Sequence, residues 1–448
     1  MRPNFGGRAR AALIATATGL SVLALVTAAT GAGASSVRPS SGHDATGVDG
    51  STFSVLLTTE DSQTPQVLQL LAKGACASEA KALPLSIQQV PSQNIESKIQ
   101  LEASQNALPL LYAADNTDIE PGGDLYTKGD VLDISSALQG LGVASDMTSI
   151  AKSTTEQQFV GTVPSVPFQM NIEGLFYNKK IFAKYGISVP TTYTALLADA
   201  AKLKAAGVTP FTASGSSGWA ISRWVGVLLF RELGPKALQL VADNKASLSS
   251  PAYVKAAQQV AQLGADGYFS TGVTNLSYNQ AIDEFLTGKA AMIYMGTWLL
   301  SSISSSQDTV GQNNIGFMPF PGVPGGKGSI NQYPANTGSP NVINARLYGP
   351  KAQAWLKCIA ENDGSLSLKK QDVFTGFRTN TPVSGLNALT KQVEHTINTA
   401  GPSVLWFEAL FGPKANADAS ADAAALLTGA MSPKQYMGTL QSDNQTQP

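Results

Sequence analysis

Phe53-Ser54-Val55-Leu56-Leu57, Leu85-Ser86-Ile87-Gln88-Gln89-Val90 and Leu108-Pro109-Leu110-Leu111-Tyr112-Ala113-Ala114 are three short apolar runs separated by two helical patterns. The first pattern covers 65–80, with Pro65 suited to an opening turn, and the second covers 93–105, with Ile95, Ile99 and Leu101 at helical spacing. Strands alternating with helices at this interval predict an α/β fold, a parallel sheet covered by helices on both faces. Ligands of such sheets sit beyond the carboxyl ends of the strands. That rule places Glu60 and Asp61, after the first run, and Asp115 and Asn116, after the third, on the rim of one cleft.

Outward from this block, the alternation restarts after Val166-Pro167. A strand is expected over 174–178, helices over 179–185 and 194–206, and a strand over 210–213 that leads into a Gly/Ser turn at 214–218. Thr192 and Thr194 are placed to cap the longer helix. Helices are expected over 222–233, 251–263 and from 277, then the apolar strand 290–294. A Pro/Gly-rich stretch, 319–328, interrupts the pattern and reads as a crossing between lobes. A strand at 341–344 and a helix at 350–362 follow, and the last hundred residues read as helices.

The composition excludes several classes of function. The 448 residues suggest about three units by length alone. Thirty basic against 31 acidic side chains give a net charge of −1, so no basic field is present to hold nucleic acid. Two histidines and two cysteines leave no zinc cluster and no disulfide framework. Gly326-Lys327 is followed by Gly328 rather than Ser or Thr, so the glycine-rich stretch is no phosphate-binding loop.

The chain opens with Arg2, Arg8 and Arg10, an apolar small-residue run over 11–29, and Ala32-Gly33-Ala34. This is the pattern of a secretory signal peptide over 1–34, with a retained membrane anchor as the alternative. No cysteine at the cut offers a lipid attachment point. Residues 35–51 read as a flexible leader, and His43 within it is outside any folded site.

Four motifs carry a family resemblance. They are Val163-Pro164-Ser165-Val166-Pro167-Phe168-Gln169-Met170-Asn171-Ile172-Glu173-Gly174-Leu175-Phe176-Tyr177-Asn178; Lys204-Ala205-Ala206-Gly207-Val208-Thr209-Pro210-Phe211; Phe285-Leu286-Thr287-Gly288-Lys289-Ala290-Ala291-Met292 with Gly296-Thr297-Trp298; and Leu426-Leu427-Thr428-Gly429 with Met431-Ser432-Pro433. In order and spacing the chain resembles extracellular solute-binding protein family 1, the carbohydrate-binding subunits of ABC importers that include maltose-binding protein. The resemblance implies a two-lobe periplasmic-binding-protein (type II) clamp with hinge crossovers near 166–167, 317–321 and 378–382. The first lobe would be 52–166 plus 319–380, and the second 167–318 plus 381–448.

It also implies a non-enzymatic receptor with no cofactor, exported and monomeric, that delivers a sugar to membrane permease subunits. Pyranose C–H faces stack on aromatic rings, and hydroxyls want planar polar partners. Trp219, Trp298 and Trp406 stand where the family places stacking aromatics, whereas Trp224 and Trp355, set in apolar helical runs, read as core. Asn171 falls at a sugar-binding position, and Gln169 and Glu173 alternate with it on one strand face. Arg378 lies at the third crossover, where a surface role is an equal reading. One departure weakens the first lobe's part: Pro109 is followed by Leu110, where relatives carry an acid.

Cys76 and Cys358 map to first-lobe helices, and an exported chain could bond them, although their spacing leaves the pairing open. A receptor for a non-sugar solute and a secreted glycan-cleaving enzyme are the alternatives. The enzyme would need two carboxylates across a scissile bond. His395 is the sole histidine offered to a metal in the folded part.

Overall fold

The computed structural model of the chain describes residues 47–59, 61–304, 309–401 and 403–445. The expected signal peptide, His43 and Glu60 lie outside the described residues. Among the described residues ten strands form two sheets: β1 (Phe53–Thr58), β2 (Leu85–Val90), β3 (Leu111–Ala113), β4 (Asn171–Asn178), β5 (Thr209–Thr212), β6 (Ala290–Gly296), β7 (Ile315–Met318), β8 (Pro334–Asn336), β9 (Asn341–Ile343) and β10 (Val404–Leu405). The first sheet has the order β2-β1-β3-β9, with β1 parallel to both neighbours and β9 antiparallel to β3. The second has the order β10-β8-β4-β6-β5. Its long β4 pairs β6 along one edge and both β7 and β8 along the other.

Strand alternation explains why the sheets are covered on both faces. In β1, Phe53, Val55 and Leu57 join one apolar cluster, while Leu56 joins another with Tyr112, Ile119 and Phe159. In β6, Ile293 and Met295 enter the first cluster, and Met292 and Tyr294 enter a third with Leu175 and Trp224. All seven residues of β6 are buried, as expected of a strand with no solvent face.

Trp224 and Trp355 are fully buried, the core role read from their surroundings. Trp355 packs on Phe53 with centroids 4.9 Å apart, and its indole N–H donates to the Leu83 carbonyl at 3.0 Å. The Thr192 hydroxyl caps the helix Tyr193–Ala205 by accepting from the Ala195 amide. Cys76 and Cys358 are bonded to each other, which ties the start of the helix Ala77–Ala82 to the helix Pro350–Gln371. Among the described residues the one metal-sized group of ligand atoms is Cys76, Glu79 and Cys358, and the bond occupies both of its sulfurs.

Three local expectations need correcting. The helix expected over 65–80 is two, Gln63–Lys73 and Ala77–Ala82, broken at Gly74. The leader's last residues are not free: the Asp49 carboxylate accepts from the Lys351 and Ala352 amides, capping the helix Pro350–Gln371 at its start. The stretch 319–328 is not the crossing. Buried Arg231 donates to the carbonyls of Phe320, Ser329 and Gln332, which holds that stretch on the second sheet's side. The chain passes to the first sheet only between β8 and β9.

The first and third passages lie side by side. The Met170 amide donates to the Phe374 carbonyl at 2.7 Å, and the Gly376 amide to the Pro167 carbonyl at 2.8 Å. Asp363, fully buried beside them, accepts from the Ser367 hydroxyl, and burial pushes its carboxyl up to about 7.

Candidate functional site

The start of β4 supplies the first polar group. Asn171 and Glu173 project from one face of this strand and are both buried. The Asn171 amide donates to Gln169 Oε1 at 3.0 Å and to Asn336 Oδ1 at 3.2 Å, and its oxygen accepts from the Thr297 hydroxyl at 3.2 Å. Thr297 also receives the Ile172 amide, so the end of β6 and the start of β4 are fastened through one hydroxyl. Glu173 thus shares the Asn171 face by alternation, Gln169 reaches it from just before β4 through its hydrogen bond to Asn171, and Asn336 of β8 joins them.

Glu173 is the centre of an ion cluster. Arg223 pairs with Glu173, and its Nε donates to Glu408 at 2.8 Å. The Ser222 hydroxyl donates to the other oxygen of Glu408, and the Tyr294 hydroxyl donates to Glu173 at 3.3 Å. The two carboxylate side chains are 1% and 4% exposed. Burial alone would lower the Arg223 guanidinium, but Glu173 and then Glu408 more than offset it, so Arg223 stays charged. Burial raises Tyr294 well above the usual phenol range, and the Glu173 charge adds to this.

The three expected tryptophans gather around this cluster. Arg223 lies four residues after Trp219 on the helix Trp219–Leu233, so both occupy one face. Its guanidinium carbon sits 5.4 Å from the Trp219 ring centroid and 5.6 Å from that of Trp406, within cation–π range. Trp298 meets Trp219 edge to face at 6.0 Å, and Tyr278 flanks Trp219 at the same distance. All three tryptophans are partly exposed, unlike Trp224 and Trp355.

Two glycines make this packing feasible. A Cβ on Gly296 would overlap the Trp298 ring, which folds back onto the end of its own strand. Gly218 opens the Trp219 helix at φ +70° with its α-carbon pressed on the Ser420 carbonyl, a backbone that favours glycine.

Just beyond Trp406 and Glu408 in sequence, Leu410 and Phe411 line a cavity of about 850 Å³, inside the roughly 300–1,000 Å³ usual for small-ligand sites; the three tryptophans, Arg223 and Glu173 do not line it. Trp406, Glu408 and the cavity-lining Leu410 and Phe411 lie on one short segment, and the Ala409 amide donates to the Trp406 carbonyl. Asp115 and Asn116, after β3, line the same cavity. Two expected residues lie apart. The Asp61 carboxylate accepts from the Thr64 amide at 3.0 Å and so serves the start of a helix. Arg378 is exposed and lines a separate depression of about 320 Å³ with Thr148, Glu394 and Asn398.

Sequence reasoning missed Arg223, Glu408, Tyr294 and Asn336. A signal existed for the first two. Arg223 is a single charge in the apolar run 219–230, and Glu408 is another in 404–411; charges in buried runs are almost always paired.

Comparison with known proteins places the chain in a family. The multiple sugar-binding protein of Streptococcus mutans is 29% identical over 174 residues, 37% of this chain and 40% of that one. An sn-glycerol-3-phosphate-binding periplasmic protein of Brucella abortus is 29% identical over 169 residues, 36% of this chain and 37% of that one. The chain thus aligns with about two fifths of the length of these curated relatives. A solved chitin oligosaccharide binding protein shares the fold at a TM-score of 0.74 and 22% identity, over 88% of this chain and 99% of that one. The family model of bacterial extracellular solute-binding proteins matches residues 61–365, well over half of the sequence, and the chain belongs to that family.

Proposed function

We propose that this protein is the extracytoplasmic solute-binding subunit of an ABC importer, and that its cargo is a neutral sugar or oligosaccharide held between the tryptophan cluster and the wall carrying Asp115 and Asn116. The observation that carries the proposal is the convergence of Trp219, Trp298 and Trp406, from three distant parts of the chain, on one charged and amide-rich floor. Aromatic faces suit the C–H faces of pyranoses, and Gln169, Asn171 and Asn336 offer the planar groups that hydroxyls need. The names of the Streptococcus relative and of the chitin oligosaccharide binding protein favour the same cargo.

An acid–base enzyme is disfavoured on chemical grounds. The two carboxylates of the cluster, Glu173 and Glu408, are both bound to Arg223 and buried, so neither is free to move a proton to a glycosidic oxygen. The assigned setting is outside the cytoplasm, after removal of 1–34 and without a lipid anchor at that cut, as a monomer handing cargo to permease subunits. Among the described residues no helix is long and apolar enough to cross a membrane.

The test is a thermal-shift and calorimetric panel of glucose, galactose, raffinose, xylotriose and chitotriose, with sn-glycerol 3-phosphate and amino acids as contrasts. A bound sugar at a hundred times its Kd adds about 2.7 kcal/mol to stability. Trp298→Ala and Trp406→Ala are each expected to weaken that sugar by about tenfold or more. A response to glycerol phosphate or an amino acid, with none to any sugar, would sink the proposal.

A further inference from the structure

Four non-glycine residues among those described adopt left-handed backbone: Asn106, Val160, Asn244 and Asp372. Asn and Asp tolerate that region, whereas for a β-branched residue it is a genuine outlier. Val160 has φ +50° and is 76% exposed. Neither its own conformation nor burial accounts for a valine there.

The local chain shows how it is held. The helix Ser149–Gln158 ends as Phe159 drops fully into the apolar cluster with Leu56, Tyr112 and Ile119. The Gly161 amide reaches back to the Glu156 carbonyl at 2.7 Å, and the Thr162 amide to that of Phe159 at 3.0 Å. This is a helix-ending turn whose left-handed position ordinarily takes glycine or asparagine. Valine there is exposed away from the core and lines the 850 Å³ cavity that Leu410 and Phe411 also line. Strain retained beside a cleft points to use.

We propose that Val160 is a ligand-contacting residue of the binding cavity, an apolar lip for a sugar unit beyond the one stacked on the tryptophan cluster. This rests on the sugar-binding reading above. It deepens that reading by assigning the cargo as an oligosaccharide long enough to reach the cavity wall that Val160 and Leu410 line. An isopropyl group held rigid at the rim offers the C–H face of a sugar a contact with little side-chain entropy left to lose.

The test compares Val160→Gly and Val160→Asn, both able to adopt left-handed backbone, in the full chain. Relief of strain is expected to leave the melting temperature unchanged or raise it by about 1–2 °C. Affinity for the panel trisaccharides raffinose, xylotriose and chitotriose is expected to fall about 5- to 10-fold for whichever of them binds. Trisaccharide affinity within twofold of wild type would overturn the assignment, and so would a fall in melting temperature, which would mean that Val160 packs rather than binds. An equal loss for glucose or galactose, where those bind, would assign it to lobe closure instead. If the wild-type protein binds no sugar at all, the functional reading itself fails and takes this assignment with it.

Discussion

Arg223 is the residue whose removal tests the site most directly. Arg223→Gln keeps a planar amide of shorter reach but deletes the charge between Glu173 and Glu408. Both carboxylates are nearly sealed from solvent, and Arg223 itself is 13% exposed. Removing one partner of a buried pair typically costs about 3–5 kcal/mol, because an uncompensated charge is left in low dielectric. For a folded chain of roughly 400 residues, unfolding entropy scales to roughly 0.8 kcal/mol per degree, so a melting-point drop of about 4–6 °C is expected.

The pH dependence sharpens the test. Burial already holds the Glu173 carboxyl above its ordinary range, with Arg223 opposing the rise, so removing Arg223 lifts it further. Groups shifted that way stabilise the fold while protonated and lose that contribution as pH rises through the shifted value. The deficit should therefore be largest near neutrality and narrow as pH falls toward the ordinary carboxylate range of about 4. Differential scanning calorimetry between pH 4 and 8 reads both quantities. The triple variant Arg223→Gln, Glu173→Gln, Glu408→Gln should recover most of the loss at pH 7. A drop under about 1 °C at pH 7, or a deficit independent of pH, would refute the buried-triad account.

Two further outcomes follow from other parts of the molecule. Cys76→Ser with Cys358→Ser opens a cross-link spanning 282 residues. Loop entropy sets a ceiling of about 5–6 kcal/mol and typical bridges give about 2–4, so a fall of about 3–5 °C is expected, checked against the reduced wild-type protein. Asp363→Asn removes a buried carboxyl raised to about 7 from 3.8. That shift makes the wild-type protein lose about 4 kcal/mol as pH climbs from about 4 to 7, and urea titrations of the variant should show a flatter slope across that window.

Much of the architecture was legible because it is written in local pattern. β1 and β6 are continuous apolar runs, and the core tryptophans sit inside apolar helical stretches, so burial could be read from neighbours alone. Trp219, Trp298 and Trp406 were singled out through the family resemblance, and the structure gathers them around Arg223. What was missed is non-local. The placement of 319–336 is decided by Arg231, 89 residues before the Phe320 carbonyl it holds. The anchoring of the leader's end is decided by helix amides 302 residues away from Asp49. Glu173 looked like a residue offered to a ligand, and on strand β4 it is paired with Arg223, which arrives from the helix Trp219–Leu233. Asp115 and Asn116, placed by the strand-end rule, line a cavity, whereas Asp61, placed by the same rule, is engaged by the helix that follows it.

The indole of Trp298 rests on the bare α-carbon of Gly296, two residues earlier at the end of its own strand. A ring bedded on the backbone of a fully buried strand has its rotamer settled by the same contacts that fold the sheet. Its conformational freedom is therefore lost during folding and cannot be charged again when a partner docks. Adding a methyl at position 296 would leave the indole chemically intact but set it loose. The cost would fall on the entropy of binding, visible in a calorimeter and invisible in a list of contacts.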